Sequence, residues 1–220
     1  SWLWVDDGEG VCPEWATPYE TAATSGADRV VPAWARSGDD LNFLYTGGTT
    51  GMPKGVMWRQ DDLVVKLTAS LGRPIDENGT IDDLRGTFTA PGSRFLPACP
   101  QMHGTGNFPC LSTLTGGGSV VTLTNRTFDP VELLDTIERE GVNSISIVGD
   151  AFAKPILRTL DANQGRWDLT SLVGIVSSGV MWSKESKQGL LDHHPGMVLM
   201  DAFSSSEALG MGSSVSAAGA

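Results

Sequence analysis

The sequence contains few cysteines, and their spacing is not typical of a structural site. Its 220 residues include three cysteines, at positions 12, 99 and 110. The number is odd, and no CxxC pair or Cys/His ligand spacing occurs. Neither a disulfide framework nor a zinc site is therefore predicted. We expect free thiols in a reducing compartment.

Basic residues are also scarce. Lysines and arginines number 15 against 26 aspartates and glutamates, which gives a net charge of -11. Because no basic block occurs, the sequence argues against nucleic acid as a main partner. An anionic ligand would need a local group of positive charges or hydrogen-bond donors to bind it.

Long apolar runs are absent as well. The first residues, SWLWVDDGEG, do not combine a basic segment with a following apolar one. No later uninterrupted apolar stretch reaches the length that spans a membrane. We therefore expect a cytoplasmic protein without an integral membrane segment.

Regions of different character follow one another along the chain. Residues 1–40 mix proline, glycine, aspartate and threonine without periodicity, so we expect an irregular lead-in segment. From residue 41 onward, short apolar runs alternate with longer amphipathic ones, which is typical of α/β architecture. The near-continuous apolar strands predict a mainly parallel sheet with helices on both faces. Residues 213–220 carry no pattern, and we expect an unstructured tail there.

The pattern also predicts individual elements. Strands are expected at 41–46, 55–58, 119–123, 144–148, 173–177 and 198–201, and helices at 61–71, 129–140, 150–161 and 183–192. Asp129, followed by Pro130, and Ser183 are predicted to cap helix N-termini. Residues 72–93 are expected to form a long loop, because glycine, aspartate, proline and threonine are frequent there.

A glycine-rich segment directly follows the first predicted strand. It reads TGGTTGMPKG from Thr46 to Gly55. Glycines let backbone N–H groups turn toward an anion, hydroxyl groups donate hydrogen bonds or bind a metal, and Lys54 adds a positive charge. This composition suits the binding of a polyphosphate.

Two other interpretations bear on the glycine-rich segment. The P-loop motif is excluded, because it requires glycine before the lysine and a hydroxyl residue after it, whereas Lys54 lies between Pro53 and Gly55. The second interpretation, a hairpin turn with a solvated lysine, stays open.

The same ten residues resemble the phosphate-binding signature of adenylate-forming enzymes, and every fixed position of that signature is filled. The resemblance implies that Thr46, Thr49 and Thr50 contact the β- and γ-phosphates of ATP. It implies further that Thr46 faces Mg²⁺ and that Lys54 neutralises phosphate charge. The loop glycines are implied to bind the same cofactor through backbone N–H groups: Gly47, where many members carry serine, Gly48 and Gly51.

A downstream segment, DAFSSSE from Asp201 to Glu207, resembles a second motif of the family. The resemblance implies that Phe203 stacks on adenine, Ser206 binds the α-phosphate and Glu207 holds Mg²⁺. Asp201 is assigned to the same cofactor site. Ser204 replaces the usual glycine. A helix N-cap run followed by a first-turn glutamate is the structural alternative.

Shorter segments resemble further parts of the family site. Ser178 and Gly179 follow a predicted strand and are expected to line the adenine pocket at the carboxyl edge of the sheet. His103 is expected to lie close to the reacting carboxylate, with a purely structural histidine as the alternative. Gly104 and Gly106 are expected to leave space for a bulky acyl chain.

The resemblance to acyl-CoA synthetases of this family implies an activity. A carboxylic acid is activated with ATP to acyl-AMP and then converted to acyl-CoA, with Lys54, His103 and Glu207 as catalytic residues and ATP, Mg²⁺ and CoA as cofactor and co-substrates. The segment CPQMHG lacks the aspartate of branches that activate amino acids. A fatty or sterol-derived acid is therefore expected, and an aryl-CoA ligase or a fatty acyl-AMP ligase stays open.

The resemblance covers residues 41–212, which implies a partial AMP-binding domain without the small C-terminal domain. We expect this chain alone to be inactive. A nucleotide-binding module without turnover and a structural domain without a ligand are the other hypotheses. A homodimer of the full-length protein is left open.

Overall fold

The structure, a computed structural model, describes residues 2–26, 33–47, 51–70, 72, 74–76, 79–86 and 88–219. The chain divides into two compact units, Ser1–Ser37 and Gly38–Ala220. In the first unit, short parallel strands are followed by a helix: β1 (Leu3–Trp4), β2 (Thr17–Pro18) and α1 (Tyr19–Thr24). The irregular lead-in prediction is wrong for these elements, because Pro18 suits a helix start and α1 contains alanine, a strong helix former.

The second unit is built on a mixed sheet that is mainly parallel. Within the described residues the sheet has six strands in the order β10-β9-β8-β7-β5-β6. All neighbours are parallel except β9 and β10, which are antiparallel. The strands are β5 (Arg94–Pro97), β6 (Ser119–Val120), β7 (Ser144–Ile147), β8 (Gly174–Ser177), β9 (Val198–Phe203) and β10 (Gly212–Ser216).

A separate two-stranded sheet precedes these strands in the chain. Strands β3 (Leu41–Thr46) and β4 (Lys54–Arg59) form an antiparallel hairpin in which Leu44 faces Val56 and Thr46 faces Lys54. The strand predicted at 41–46 is confirmed, and the one predicted at 55–58 lies inside β4.

Helices connect and cover the strands. They are α2 (Gln60–Ser70), α3 (Ile81–Gly86), α4 (Gly104–Thr115), α5 (Pro130–Glu140), α6 (Asp150–Ala162) and α7 (Lys184–His193). The predicted caps are confirmed, since Asp129 accepts a hydrogen bond from the Val131 N–H at 2.9 Å and Ser183 accepts one from the Ser186 N–H. In the part of the chain that the structure describes, no helix is long and apolar enough to cross a bilayer.

The larger core lies where α5, α6 and α7 pack on the parallel strands. Ile145 and Ile147 of β7 are in this cluster with Leu133, Ile156 and Leu190 of the helices. Ser146, between the two isoleucines, is also fully buried and its hydroxyl lies 3.5 Å from the Cys99 thiol. Because successive residues of a strand face opposite sides, both faces of the sheet are covered, as predicted.

A smaller core joins the hairpin to the helices beside it. Leu44 of β3, Leu63 and Leu67 of α2 and Phe108 of α4 are buried together. Three half-buried residues pack against them: Trp58 of β4, Leu111 of α4 and Leu209 of the segment between β9 and β10.

The predicted unstructured tail is wrong over residues 213–216. These residues belong to β10, whose Ser213 and Val215 are register partners of Ala202 and Met200 of β9. The cause is main-chain pairing, which closes the edge of β9 and does not depend on an apolar pattern in the added strand.

Candidate functional site

The glycine-rich segment joins β3 to β4, from Thr46 at the end of one strand to Lys54 at the start of the other. Thr46, the last residue of β3, donates a hydrogen bond from its hydroxyl to the carbonyl oxygen of Lys54 at 3.3 Å. Lys54 begins β4 and is exposed, as is Gly51. Gly48, Thr49 and Thr50 lie outside the described residues. The exposed lysine agrees both with a phosphate-binding segment and with a simple hairpin turn, so it does not distinguish the two sequence interpretations.

The second motif begins in the last residues of β9 and continues into the connection to β10. Phe203 ends β9 with 69% of its surface exposed, and Glu207 is exposed in the connection. Ser205 and Ala208 exchange backbone hydrogen bonds of 3.0 and 3.3 Å, which closes a turn around Ser206 and Glu207. The alternative that Ser204–Glu207 begins a helix is therefore wrong, because the segment reverses direction into an antiparallel strand.

Ser204, which replaces the usual glycine, does not require a positive φ. No residue other than glycine has a positive φ among those the structure describes. Ser204 therefore lies outside the left-handed region that favours glycine.

A hydrogen bond joins the strand that follows the first motif to the turn of the second motif. The indole Nε1 of Trp58, in β4, donates to the carbonyl oxygen of Ser206 at 2.8 Å. Leu209, two residues after Glu207, packs on the same small core as Leu44 of the hairpin. The strand that Lys54 begins and the turn that carries Glu207 are thus held together, although 148 residues separate Trp58 from Ser206.

His103 precedes α4 and is exposed at the N-cap position of that helix. The next residue, Gly104, is so close to the small core that a Cβ there would lie 2.9 Å from Phe108 and 3.5 Å from Leu44. At Gly106 a Cβ would lie 2.7 Å from the backbone oxygen of Pro100. The expectation that these glycines leave space for an acyl chain is wrong, since protein atoms fill both spaces.

Ser178 and Gly179 lie beyond the end of β8, next to the first turn of α4. Gly179 has a φ of +88°, and a Cβ there would be 3.9 Å from the Thr105 hydroxyl. Gly149 follows the neighbouring strand β7, and its N–H donates to the Ser177 hydroxyl at 2.9 Å in a buried hydrogen bond. The loops after β7 and β8 are thus linked at one edge of the sheet.

Asp201 has a partner that the sequence did not reveal. Its carboxylate forms an ion pair with Lys187 of α7 and accepts a hydrogen bond of 3.4 Å from the Ser214 hydroxyl. Its assignment to the cofactor site stays a prediction, and the ion pair gives it a structural role in addition.

Three of the predicted segments lie at one edge of the six-stranded sheet. Strands β9, β8, β7 and β5 are neighbours, and all four run parallel. Glu207, Gly179 and His103 follow the carboxyl ends of β9, β8 and β5 respectively. Open parallel sheets bind their ligands outside these carboxyl ends. The fold and the site define an α/β protein of that ligand-binding class.

Comparison with known proteins identifies the family. Residues 5–219 match the AMP-binding enzyme family, and the chain belongs to it. The medium-chain acyl-CoA ligase Mig of Mycobacterium avium is 34% identical over 198 residues, which are 87% of this chain and 35% of the relative. A medium/long-chain-fatty-acid–CoA/3-oxocholest-4-en-26-oate–CoA ligase of Mycolicibacterium smegmatis is 37% identical over 193 residues, 84% of this chain and 34% of the relative.

This chain spans about a third of the length of those curated relatives. Solved structures agree with the fold. The luciferase-like enzyme from the nonluminescent Zophobas morio mealworm has a TM-score of 0.66 at 17% identity, covering 90% of this chain and 42% of that one. The O-succinylbenzoate coenzyme A synthetase (MenE) from Bacillus subtilis, in complex with AMP, has a TM-score of 0.62 at 20% identity, covering 88% and 36%.

Proposed function

We propose that the chain forms part of an enzyme that activates a carboxylic acid with ATP and transfers the acyl group to CoA. The observation that carries the proposal is the 2.8 Å hydrogen bond from Trp58 to Ser206, because it joins the hairpin of Thr46 and Lys54 to the turn of Glu207. Membership of the AMP-binding family and the acyl-CoA ligase names of the relatives support the same activity.

The proposed reaction has two steps. A carboxylate oxygen of the acid attacks the α-phosphorus of ATP, the bond from that phosphorus to the bridging oxygen breaks, and pyrophosphate leaves acyl-AMP behind. The CoA thiolate then attacks the acyl carbon, and AMP leaves. Neither step requires a nucleophilic side chain. The task of the protein is to orient the acid and to stabilise the charge that moves onto pyrophosphate.

The hairpin turn is proposed to hold the phosphates. Lys54 is exposed at the start of β4, so its ammonium group can approach an anion without breaking a packed contact. Backbone N–H groups of the turn glycines, together with the hydroxyl groups of Thr49 and Thr50, are proposed to donate to phosphate oxygens. In a protein with a net charge of -11, such local donors are what an anionic ligand requires.

The oxygen donors of the two motifs suit magnesium. Glu207 offers an exposed carboxylate, and Thr46 uses its hydroxyl hydrogen toward Lys54, which leaves its oxygen lone pairs for a metal. Mg²⁺ is commonly held by one or two carboxylates together with substrate phosphates. The described residues contain no cluster of three or more His, Cys, Asp or Glu side chains. Bound there, Mg²⁺ would supply positive charge to the phosphates.

The remaining segments are proposed to receive adenine and the acid. The exposed ring of Phe203 offers a stacking face, and Ser178 and Gly179 lie at the same edge of the sheet. The hydroxyl of Ser206 is proposed to donate to the α-phosphate, and His103 to face the carboxylate. The relatives are named for medium- and long-chain fatty acids and a sterol-derived acid, so we propose an acid of these classes and a role in lipid metabolism.

We also propose that the protein works in the cytoplasm. ATP and CoA are abundant there, and the cysteines at 12, 99 and 110 are all free thiols, as expected in a reducing compartment.

The proposal is tested by two measurements. Isothermal calorimetry measures Mg·ATP binding to this chain, and pyrophosphate release is measured with a panel of fatty and sterol-derived acids, for this chain and for a form extended to the length of its relatives. We expect Mg·ATP binding by both forms and acid-dependent pyrophosphate release by the extended form. Light scattering on the extended form tests whether it is a homodimer.

Each other outcome selects a different hypothesis. Binding by both forms without release by the extended form would favour a nucleotide-binding module without turnover. Release that does not continue to acyl-CoA would favour an acyl-AMP ligase. Absence of both binding and release would refute the proposal and leave the motifs as turns.

A further inference from the structure

Trp58 lies on the inner side of the hairpin. Its register partner across the strands is Asn42, and its ring is half-buried against the small core. The residues before and after it in β4, Met57 and Arg59, are exposed. The indole of Trp58 therefore points from the hairpin toward the rest of the second unit, and its N–H reaches Ser206.

The ring of Trp58 also contacts α4. It meets Phe108 edge to face, with ring centroids 6.2 Å apart and planes at 74°. Phe108 in turn lies against Gly104, directly after His103. The N-terminal turn of α4 therefore rests on the same aromatic pair that supports the hairpin.

Trp58 thus connects its own strand to two other segments, and all three carry proposed site residues. Its own strand begins at Lys54, its hydrogen bond holds the turn of Ser206 and Glu207, and its ring packs on the helix that follows His103. The hairpin and the β9–β10 connection belong to different sheets, so strand pairing does not fix one against the other.

We propose that Trp58 is a positioning residue, which sets the placement of the phosphate-binding hairpin relative to the turn of Glu207 without touching the substrate. This inference rests on the proposed function. The indole N–H carries the effect, because a hydrogen bond fixes both distance and direction, whereas the hydrophobic stabilisation of the small core is non-directional.

The test compares two tryptophans that each lose one indole hydrogen bond. Trp58→Phe removes the donor to Ser206 and keeps a ring against Phe108. Trp167→Phe is the matched control, because Trp167 is buried and its Nε1 donates to the Asp135 carboxylate at 2.6 Å, on α5 and away from the proposed site. Both variants are expected to lower the unfolding temperature.

The two variants are expected to differ in ligand binding. Calorimetry should show that Trp58→Phe weakens Mg·ATP binding by about tenfold, the effect of one lost hydrogen bond, while Trp167→Phe binds as the unmodified chain does. Equal affinities for Trp58→Phe and the unmodified chain would overturn this inference and leave the proposed function unaffected. Absence of Mg·ATP binding and of pyrophosphate release in both the unmodified chain and its extended form would refute the proposed function and this inference with it.

A spectroscopic measurement on the unmodified chain does not depend on how the variants fold. The seven tryptophans each give an indole N–H signal in a ¹⁵N-labelled sample, and that of Trp58 is assigned from its nuclear Overhauser contacts to Phe108 and Ser206. We expect Mg·ATP to shift the Trp58 signal and to leave that of Trp167 in place. A Trp58 signal that stays fixed at saturating Mg·ATP would overturn the inference.

Discussion

The carboxylate of Asp201 forms an ion pair with the ammonium group of Lys187, which joins strand β9 to helix α7. The side chains are 30% and 13% exposed respectively, and the Lys187 Nζ also lies 5.6 Å from the centre of the Trp182 ring. A largely buried lysine is stable as an ion only when it is paired. The pair therefore stabilises the edge of the sheet from which the second motif extends.

Replacing Lys187 should separate this structural role from ligand binding. Lys187→Met leaves the Asp201 charge half-buried and unpaired, so we expect the free energy of unfolding to fall by about 1–3 kcal/mol. Urea denaturation measures the loss. Lys184→Met, at an exposed position of the same helix, should change it by less than about 0.5 kcal/mol.

Calorimetry on the same variants tests the assignment of Asp201 to the cofactor site. Because Lys187 is not a proposed site residue, Lys187→Met should bind Mg·ATP with unchanged affinity. A loss of affinity in Asp201→Asn alone would support a direct role of Asp201 in binding. If Asp201→Asn and Lys187→Met lose the same stability and both bind Mg·ATP with the affinity of the unmodified chain, the role of Asp201 is confined to the ion pair.

The close contact of Gly106 with Pro100 gives a second prediction. A Cβ at Gly106 would lie 2.7 Å from the Pro100 oxygen and 3.1 Å from that of Cys99, so Gly106→Ala must displace the backbone before α4. We expect a loss of about 1–3 kcal/mol in the free energy of unfolding, measured by urea denaturation. Gly86→Ala, where nothing lies within 4 Å, is the control and should be neutral or slightly stabilising. A neutral Gly106→Ala would contradict the packing described here.

The sequence predicts best the elements whose signals are local. Strands β7 and β8 are short apolar runs, and α5 begins at a capping Asp129 followed by Pro130, so their positions agree with prediction to within a residue or two. These signals are local because strand burial and helix capping act over a few neighbouring residues.

Helix α4 was not predicted because its composition opposes a helix. It contains Gly104, Gly106 and Pro109, all poor helix formers. The two glycines are required by close contacts with Phe108 and Pro100. Tertiary packing outweighs propensity here, and the same contacts explain why the predicted space for an acyl chain is filled.

Helix α3 and strand β10 were missed for other reasons. Helix α3 lies in the predicted long loop and begins with a capping box, in which the Thr80 N–H donates to Asp83 at 2.7 Å and the Asp83 N–H to the Thr80 hydroxyl at 3.2 Å. That signal was present in the sequence. By contrast, β10 is defined by its pairing with β9. The contact of Trp58 with Ser206 is equally non-local. No local sequence pattern predicts either feature.

A third prediction concerns pH and the carboxylate of Asp150. Its Oδ1 accepts hydrogen bonds from the N–H and hydroxyl of Ser183 at 3.1 and 3.0 Å, and Lys154 lies 2.9 Å from Oδ2. Partial burial raises the pKa of Asp150, but these hydrogen bonds, with one from Ser186, outweigh it and lower the pKa from 3.8 to about 2. The folded state therefore binds this proton less readily than the unfolded state does.

The sign of the pH effect follows from the lowered pKa. The ionised Asp150 contributes its full stabilisation above the unfolded pKa of 3.8 and loses it as the pH falls toward about 2. Asp150→Asn should be less stable than the unmodified chain at pH 7, and the difference should shrink between pH 4 and pH 2, roughly the interval between the two pKa values. Urea denaturation across this range measures it. A difference independent of pH would exclude the proposed ionic role.

The last prediction concerns Lys54 at the start of β4 and Glu207 in the turn after β9. Lys54→Ala removes a positive charge proposed to meet phosphate, and Glu207→Gln removes a carboxylate proposed to hold Mg²⁺. Each should weaken Mg·ATP binding by about tenfold or more, since charge-assisted hydrogen bonds contribute about 1.5–3 kcal/mol. Both side chains are exposed, so the free energy of unfolding without ligand should change by less than about 0.5 kcal/mol.

Matched controls separate these effects from a general change of charge. Lys66→Ala on α2 and Glu185→Gln on α7 change exposed residues of the same types outside the proposed site, and they should leave the affinity unchanged. If Lys54 and Glu207 act on one Mg·ATP, the double variant should lose less than the sum of the single losses, because either change alone already disrupts the shared phosphate and metal contacts. Affinities equal to those of the controls would instead favour a domain whose motifs are turns without a ligand.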